Sequence, residues 1–145
     1  MSRNESRPLS PHLTHWKWAP NMLVSILHRI TGVGLSVVGG LLFAGWLLAA
    51  ASGEATYDWF LGLLTVESGA INIVGAVFGI GLTWAFFTHL FNGLRHFVLD
   101  TGAGYELQTN RRWSIAVVAG AIVATIAVWL WLFWPTLIQL TGGEG

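Results

Sequence analysis

The chain has 145 residues, seven basic and seven acidic side chains, and a formal net charge of zero. Hydrophobic residues make up 54% of it and charged residues only 10%, against about 25% charged residues in soluble domains. This composition indicates an integral membrane protein and predicts no nucleic-acid partner. The absence of cysteine excludes disulfides, thiolate metal sites and cysteine nucleophiles.

Residues 1–20 are predicted to form an extended or turning, interfacial lead-in rather than a helix. Three prolines interrupt it, and proline lacks a donor and fixes φ. Trp16 and Trp18 suit the membrane interface. We find neither a cleavable signal segment nor an Arg-rich transit peptide, so the helices themselves are expected to direct insertion. This favours a bacterial inner membrane over a mitochondrial one.

Three apolar stretches are predicted to cross the membrane, at about residues 21–51, 70–99 and 112–140. Each exceeds the roughly 20 residues needed to span a hydrocarbon core of about 30 Å. The prediction is an all-α membrane anchor over residues 21–145. The first span is rich in glycine, which lets membrane helices approach closely, so we expect it to pack in a larger helical bundle.

The distribution of basic residues predicts the topology. The connector over residues 52–69 contains acidic residues but no Lys or Arg, whereas Arg95, Arg111 and Arg112 flank the second connector. Because Lys and Arg accumulate on the cytoplasmic side, the N-terminus is predicted to be cytoplasmic and the C-terminus periplasmic. No ionisable residue lies between Trp113 and Leu140, so the third helix is predicted to be structural.

Two histidines lie on the second predicted helix, His89 and His96. They are seven residues apart and therefore share a helix face, separated by roughly 10 Å along the axis. Two ligands trans across one metal lie only about 4 Å apart, since each imidazole–metal bond is near 2 Å. These histidines therefore cannot both bind one iron.

The role of His89 has two interpretations from the residues alone. Gly93 follows it by one turn and leaves room for a flat macrocycle, so His89 can be an axial haem ligand whose opposing ligand comes from another chain. Alternatively, His89 forms a hydrogen bond between helices or relays protons.

Ser25 and Arg29 share a face of the first helix, with His28 on an adjacent side. A hydroxyl donor and a fixed cation one turn apart suit a quinone carbonyl or a propionate. Alternatively, Arg29 reaches lipid phosphates and Ser25 bonds a backbone carbonyl. The sequence contains no phosphate-binding loop or nucleotide fingerprint, and no broken helix indicates a transporter.

Three motifs, in order, cover nearly the whole chain: Arg7-Pro-Leu-Ser-Pro-His-Leu, Ser25-Ile-Leu-His-Arg-Ile-Thr-Gly32, and His89-x-x-Asn-Gly-x-Arg-His96-x-x-x-Asp100. Together they resemble the cytochrome b membrane-anchor subunit of succinate dehydrogenase, respiratory complex II. The resemblance implies a second anchor subunit, a flavoprotein subunit that oxidises succinate, and an iron–sulfur subunit that passes electrons to ubiquinone.

The resemblance also implies roles for individual residues. His89 matches the haem b ligand, with the opposing histidine supplied by the second anchor subunit. Ser25 and Arg29 match the quinone-site serine and arginine. His28 and Arg29 match groups near the haem propionates. His96 is part of the third motif and is expected to support the haem site or to lie on its propionate side rather than to bind the iron. Two rival functions remain open, namely a fumarate reductase anchor working in the reverse direction and a purely structural anchor without haem.

Overall fold

The computed structural model describes residues 8 and 10–141. Arg7, which begins the first motif, and the C-terminal residues 142–145, predicted to be periplasmic, lie outside the described residues. Within them the regular structure is helical, with one isolated antiparallel bridge between Thr65 and Ile71.

Three helical stretches are long and apolar enough to cross a membrane: Pro20–Ala51 with 32 residues, Ile73–Asp100 with 28, and Leu107–Pro135 with 29. The prediction of an all-α fold with three membrane helices is confirmed. The division into residues 1–20 and 21–145 stays a prediction. The α-helices are α1 (Pro20–Gly34), α2 (Gly40–Ala51), α3 (Glu54–Gly62), α4 (Ile73–Asp100) and α5 (Leu107–Thr141).

The first membrane span contains a local irregularity. Pro20 occupies the first turn of α1 after the extended residue Ala19, a position where the missing N–H donor costs nothing. A π-helical segment, Leu35–Gly39, then joins α1 to α2. Before α1, the lead-in contains a short 3₁₀ turn at His12–His15.

The first connector contains a helix, although it was predicted as a loop. Gly53 has φ 104° and α3 follows it directly. At the other end, Asn72 caps α4 by accepting a hydrogen bond from Gly75 N at 2.8 Å. Its Nδ2 also donates to the carbonyls of Leu63 and Thr65. Because this cap stabilises the helix start, α4 begins at Ile73 rather than at residue 70.

The third long helix also begins earlier than predicted, at Leu107 rather than at residue 112. Its first turns contain Asn110, Arg111 and Arg112, and the Asn110 N–H already donates to the Glu106 carbonyl. Hydropathy identifies only the apolar part of a helix that crosses the membrane. This helix begins before that part, in the polar residues that precede it, so its start was predicted too late.

Helix α4 packs against both α1 and α5. The buried residues between them are mostly small or polar, among them Ala85, Thr88, Asn92, Ser114 and Ala121, with Val24, Leu99 and Val117 as the larger apolar ones. Small residues allow close approach of helices in a membrane. Only 6%, 6% and 17% of the apolar windows of the three spans are buried within the chain. Most of the apolar surface is therefore left for lipid or for other subunits.

The start of α1 and the end of α4 lie at the same end of the bundle, because the histidines of the two helices meet there. The assignment of this end to the cytoplasmic side stays a prediction.

Candidate functional site

Three histidines of two helices form one cluster. The His28 ring of α1 stacks on the His89 ring of α4, with centroids 4.0 Å apart and planes inclined by 9°. The centroid of the His96 ring lies 5.5 Å from that of His28, with the planes inclined by 43°. His28 thus lies close to two histidines that one helix places two turns apart.

The backbone of α1 provides a hydrogen-bond acceptor for the His89 ring. Nδ1 of His89 lies 3.1 Å from the carbonyl oxygen of His28 and 3.4 Å from Oγ1 of Thr31. A carbonyl oxygen can only accept, so Nδ1 carries the proton and donates to it. Nε2 of His89 then keeps its lone pair, as a metal-ligating imidazole requires.

Several buried polar atoms in this region have no hydrogen-bond partner among the described residues. Buried polar groups normally find a partner, because an unpaired one costs free energy. Near the cluster this is true of Nε2 of His28. The other three lie along the same stretch of α4: Oγ1 of Thr88, Nδ2 of Asn92 and Nε of Arg95.

The histidine cluster therefore fits a haem b group. It offers one imidazole whose second nitrogen is free to bind iron, and a second imidazole, His28, with an unused polar atom beside it. Within the part of the chain that the structure describes, no group of three or more His, Cys, Asp or Glu side chains is placed to hold a bare metal ion.

Ser25 and Arg29 are not part of the histidine contacts. Both are exposed, whereas Val24 and Thr31 are buried and His28, three residues after Ser25, is half-buried. The structure thus brings His28, His89 and His96 together and leaves Ser25 and Arg29 uncovered beside them. An exposed polar pair on a membrane helix is available to lipid or to another subunit.

Sequence reasoning missed a polar connection between α4 and α5. Nη1 of Arg95 donates to Oδ1 of Asn92 at 3.2 Å, and Nη2 of Arg95 donates to Oδ1 of Asn110. Arg95 was interpreted as a residue at the membrane boundary, yet it is half-buried, and Asn92 is fully buried. The available signal was an asparagine and an arginine three residues apart on an apolar helix, since such pairs share a face.

Elsewhere, an apolar groove of about 620 Å³ separates the end of the lead-in from α5. Trp18, Leu23 and Ile115 are among its lining residues, and none of the candidate site residues contributes to it. The groove is therefore separate from the histidine cluster.

Comparison with known proteins decides the family. The family model described as the succinate dehydrogenase/fumarate reductase transmembrane subunit matches residues 3–128. This match covers all three motifs and most of the three spans. The chain belongs to this family.

Individual relatives agree with this assignment. The succinate dehydrogenase cytochrome b556 subunit of Paracoccus denitrificans is 36% identical over 124 residues, covering 83% of this chain and 88% of the relative. The subunit of the same name from Rickettsia bellii is 33% identical over 129 residues, covering 86% and 91%. The mitochondrial cytochrome b560 subunit of Sus scrofa is 30% identical over 123 residues, covering 85% and 70%.

Family membership establishes the general role of the chain. As a family member, it is a cytochrome b membrane-anchor subunit of complex II, and so part of an oxidoreductase that contains other subunits. The resemblance expected from the motifs is confirmed at this level.

Proposed function

We propose that this chain anchors a succinate:ubiquinone oxidoreductase in the membrane and, with a second anchor subunit, binds haem b through His89. The observation that carries the proposal is the hydrogen bond from Nδ1 of His89 to the His28 carbonyl, 3.1 Å long, which leaves Nε2 free for iron. The opposing ligand is a histidine of the second anchor subunit. When bound, haem b supplies a one-electron redox centre inside the membrane.

Two further histidines and an arginine are proposed to surround the haem. Nε2 of His28 is buried without a partner among the described residues, so it is available to donate to a propionate. His96 lies within 5.5 Å of His28 toward the end of α4, where it can contact the same acidic edge. Arg29 follows His28 directly and contributes a fixed positive charge from the exposed face of α1.

Ser25 and Arg29 are proposed to form part of the ubiquinone-reduction site. Both are exposed on the face of α1 that is not covered by this chain, where an iron–sulfur subunit and a second anchor subunit can enclose them. The Ser25 hydroxyl donates to one quinone carbonyl. Arg29 stabilises negative charge on the quinone oxygens as electrons arrive, since preorganised donors act strongly in a low-dielectric site.

The overall reaction needs the other subunits. Oxidation of succinate to fumarate at the flavoprotein subunit releases two electrons and two protons, and the iron–sulfur subunit passes the electrons to ubiquinone. Ubiquinone takes up the two electrons and two protons and becomes ubiquinol. We propose that the flavoprotein and iron–sulfur subunits dock at the cytoplasmic end of α1 and α4, and that the complex lies in a bacterial inner membrane.

A fumarate reductase anchor is the alternative with support of its own. The family model is described by both activities, and the two reactions use the same groups in opposite directions. The three relatives described above carry the succinate dehydrogenase name, which favours succinate oxidation.

Difference spectra of the assembled complex test the proposal. We expect the dithionite-reduced minus oxidised spectrum to show low-spin b-type bands in the wild type and in His96→Leu, and to lose them in His89→Leu at matched protein. Loss in His96→Leu alone would move the ligand to His96. A wild-type complex without these bands would leave the structural anchor without haem as the better interpretation.

A further inference from the structure

Three residues of α1 form a seat for the His89 ring. His28, Thr31 and Gly32 are three and four residues apart and therefore share one helix face, and all three meet the same imidazole of α4. The His28 carbonyl accepts from Nδ1, and the His28 ring stacks on the face of the His89 ring. Thr31 is 3% exposed, and its hydroxyl donates to the Leu27 carbonyl at 2.7 Å.

Gly32 is the part of the seat that determines how closely the two helices approach. A Cβ atom built on Gly32 would lie 2.9 Å from Cε1 of His89, 3.4 Å from Nδ1 and 3.9 Å from Nε2. Carbon atoms in contact are normally about 3.5–4.0 Å apart. Any larger residue here must therefore displace the imidazole or separate α1 from α4. By contrast, a Cβ on Gly34, two residues further along α1, would meet nothing within 4 Å.

We propose that Gly32 is a positioning residue for the haem ligand. Because Gly32 has no side chain, the His89 ring can approach α1 closely enough for Nδ1 to donate to the His28 carbonyl. This hydrogen bond leaves Nε2 as the nitrogen that binds iron and fixes the plane of the imidazole. This inference rests on the proposed haem ligation by His89. It adds a role for a backbone position that itself does not touch the iron or the porphyrin.

The seat also influences the electronic properties of the ligand. When the imidazole nitrogen that does not bind the metal donates a hydrogen bond, the metal-binding nitrogen becomes more basic. A more basic ligand stabilises the oxidised iron and lowers its reduction potential, since hydrogen bonds to a ligand are one of the means by which a protein sets that potential. Displacing the ring from the His28 carbonyl should therefore raise the potential.

The test compares Gly32→Ala with Gly34→Ala in the assembled complex. We expect Gly34→Ala to match the wild type in midpoint potential and in the low-spin electron paramagnetic resonance signal of the oxidised haem. Gly32→Ala should shift the midpoint potential to a more positive value and change the largest g value, which reports the relative orientation of the two axial imidazole planes. Unchanged potential and g values in Gly32→Ala would overturn the inference while leaving His89 as the ligand.

A second variant keeps the inference testable if Gly32→Ala does not assemble. Thr31→Val retains the shape of the side chain and removes the second oxygen near Nδ1, 3.4 Å away. It should shift the potential in the same direction by a smaller amount, and a potential equal to that of the wild type would count against the seat. A wild-type complex that holds no haem would instead contradict the proposed function itself.

Discussion

Ser25 and Arg29 illustrate how side chains on one helix can serve different neighbours. They are exposed on α1, whereas His28, between them in sequence, is half-buried against α4. The helical repeat of about 100° per residue places Ser25 and Arg29 on a side of α1 that adjoins His28. A quinone bound at Ser25 and Arg29 would therefore lie next to His28, which is proposed to border the haem.

At this scale, Ser25→Ala and Arg29→Leu should lower succinate-dependent ubiquinone reduction. Losing one neutral hydrogen bond costs about 1.4 kcal/mol, or roughly tenfold in rate, and a charged donor contributes more. Succinate oxidation by a soluble artificial acceptor should stay unchanged, because it does not need the anchor. The two activities are measured on the same purified complex.

Ser36→Ala is the matched control, because Ser36 is an exposed serine of the same membrane span that bonds only the Gly32 carbonyl in this structure. It should retain both activities. If Ser25→Ala and Arg29→Leu lost both activities together, the defect would be in assembly and the quinone-site assignment would fail.

At the scale of elements, Arg95 connects helix α4 to helix α5 through hydrogen bonds. It donates to Asn92 on its own helix and to Asn110 near the start of α5. Asn92 is fully buried and Arg95 and Asn110 are half-buried, so the connection runs from inside the bundle toward its edge. It joins α4 to the first turns of α5.

Asn110→Ala should therefore destabilise the packing of α4 against α5. Removing one partner of a buried charged donor costs about 1–3 kcal/mol. We expect the midpoint of thermal unfolding of the detergent-solubilised complex to be lower. Unfolding is monitored by the loss of the near-UV circular dichroism signal. Gln108→Ala, an exposed amide on the same first turns of α5, should leave the midpoint unchanged, and equal effects of the two variants would refute the connection.

At the scale of the whole molecule, the chain covers little of its own apolar surface. At most 17% of the apolar window of any span is buried within it, and His89 is the single iron ligand that we propose for this chain. His28 cannot serve as the opposing ligand, because its ring stacks on His89 at 4.0 Å, leaving no space for a porphyrin between them.

The low-spin b-type spectrum should therefore depend on the second anchor subunit. Expressed alone in a membrane, this chain should lack the six-coordinate low-spin bands, and coexpression with the second anchor subunit should restore them. The measurement is the reduced minus oxidised spectrum of membranes with matched amounts of this chain. The same bands from the chain alone would mean that it supplies both axial ligands.

The amino-acid sequence by itself determined the membrane class, the three spans and the relation between residues on one helix. Each depends on local quantities, namely the apolar length of a segment and the repeat of a helix. For this reason the spacing of His89 and His96 was enough to exclude a shared iron. The motifs were also enough to predict the family, which the comparisons confirm.

Only the tertiary structure decided which atoms of α1 meet His89. The contact of the His28 carbonyl and Gly32 with one imidazole joins residues about 60 positions apart, and it depends on the register and distance between two helices. The same is true of Arg95 and Asn110. Periodicity specifies a face of each helix, but packing of small side chains between helices sets how closely and at what height those faces meet.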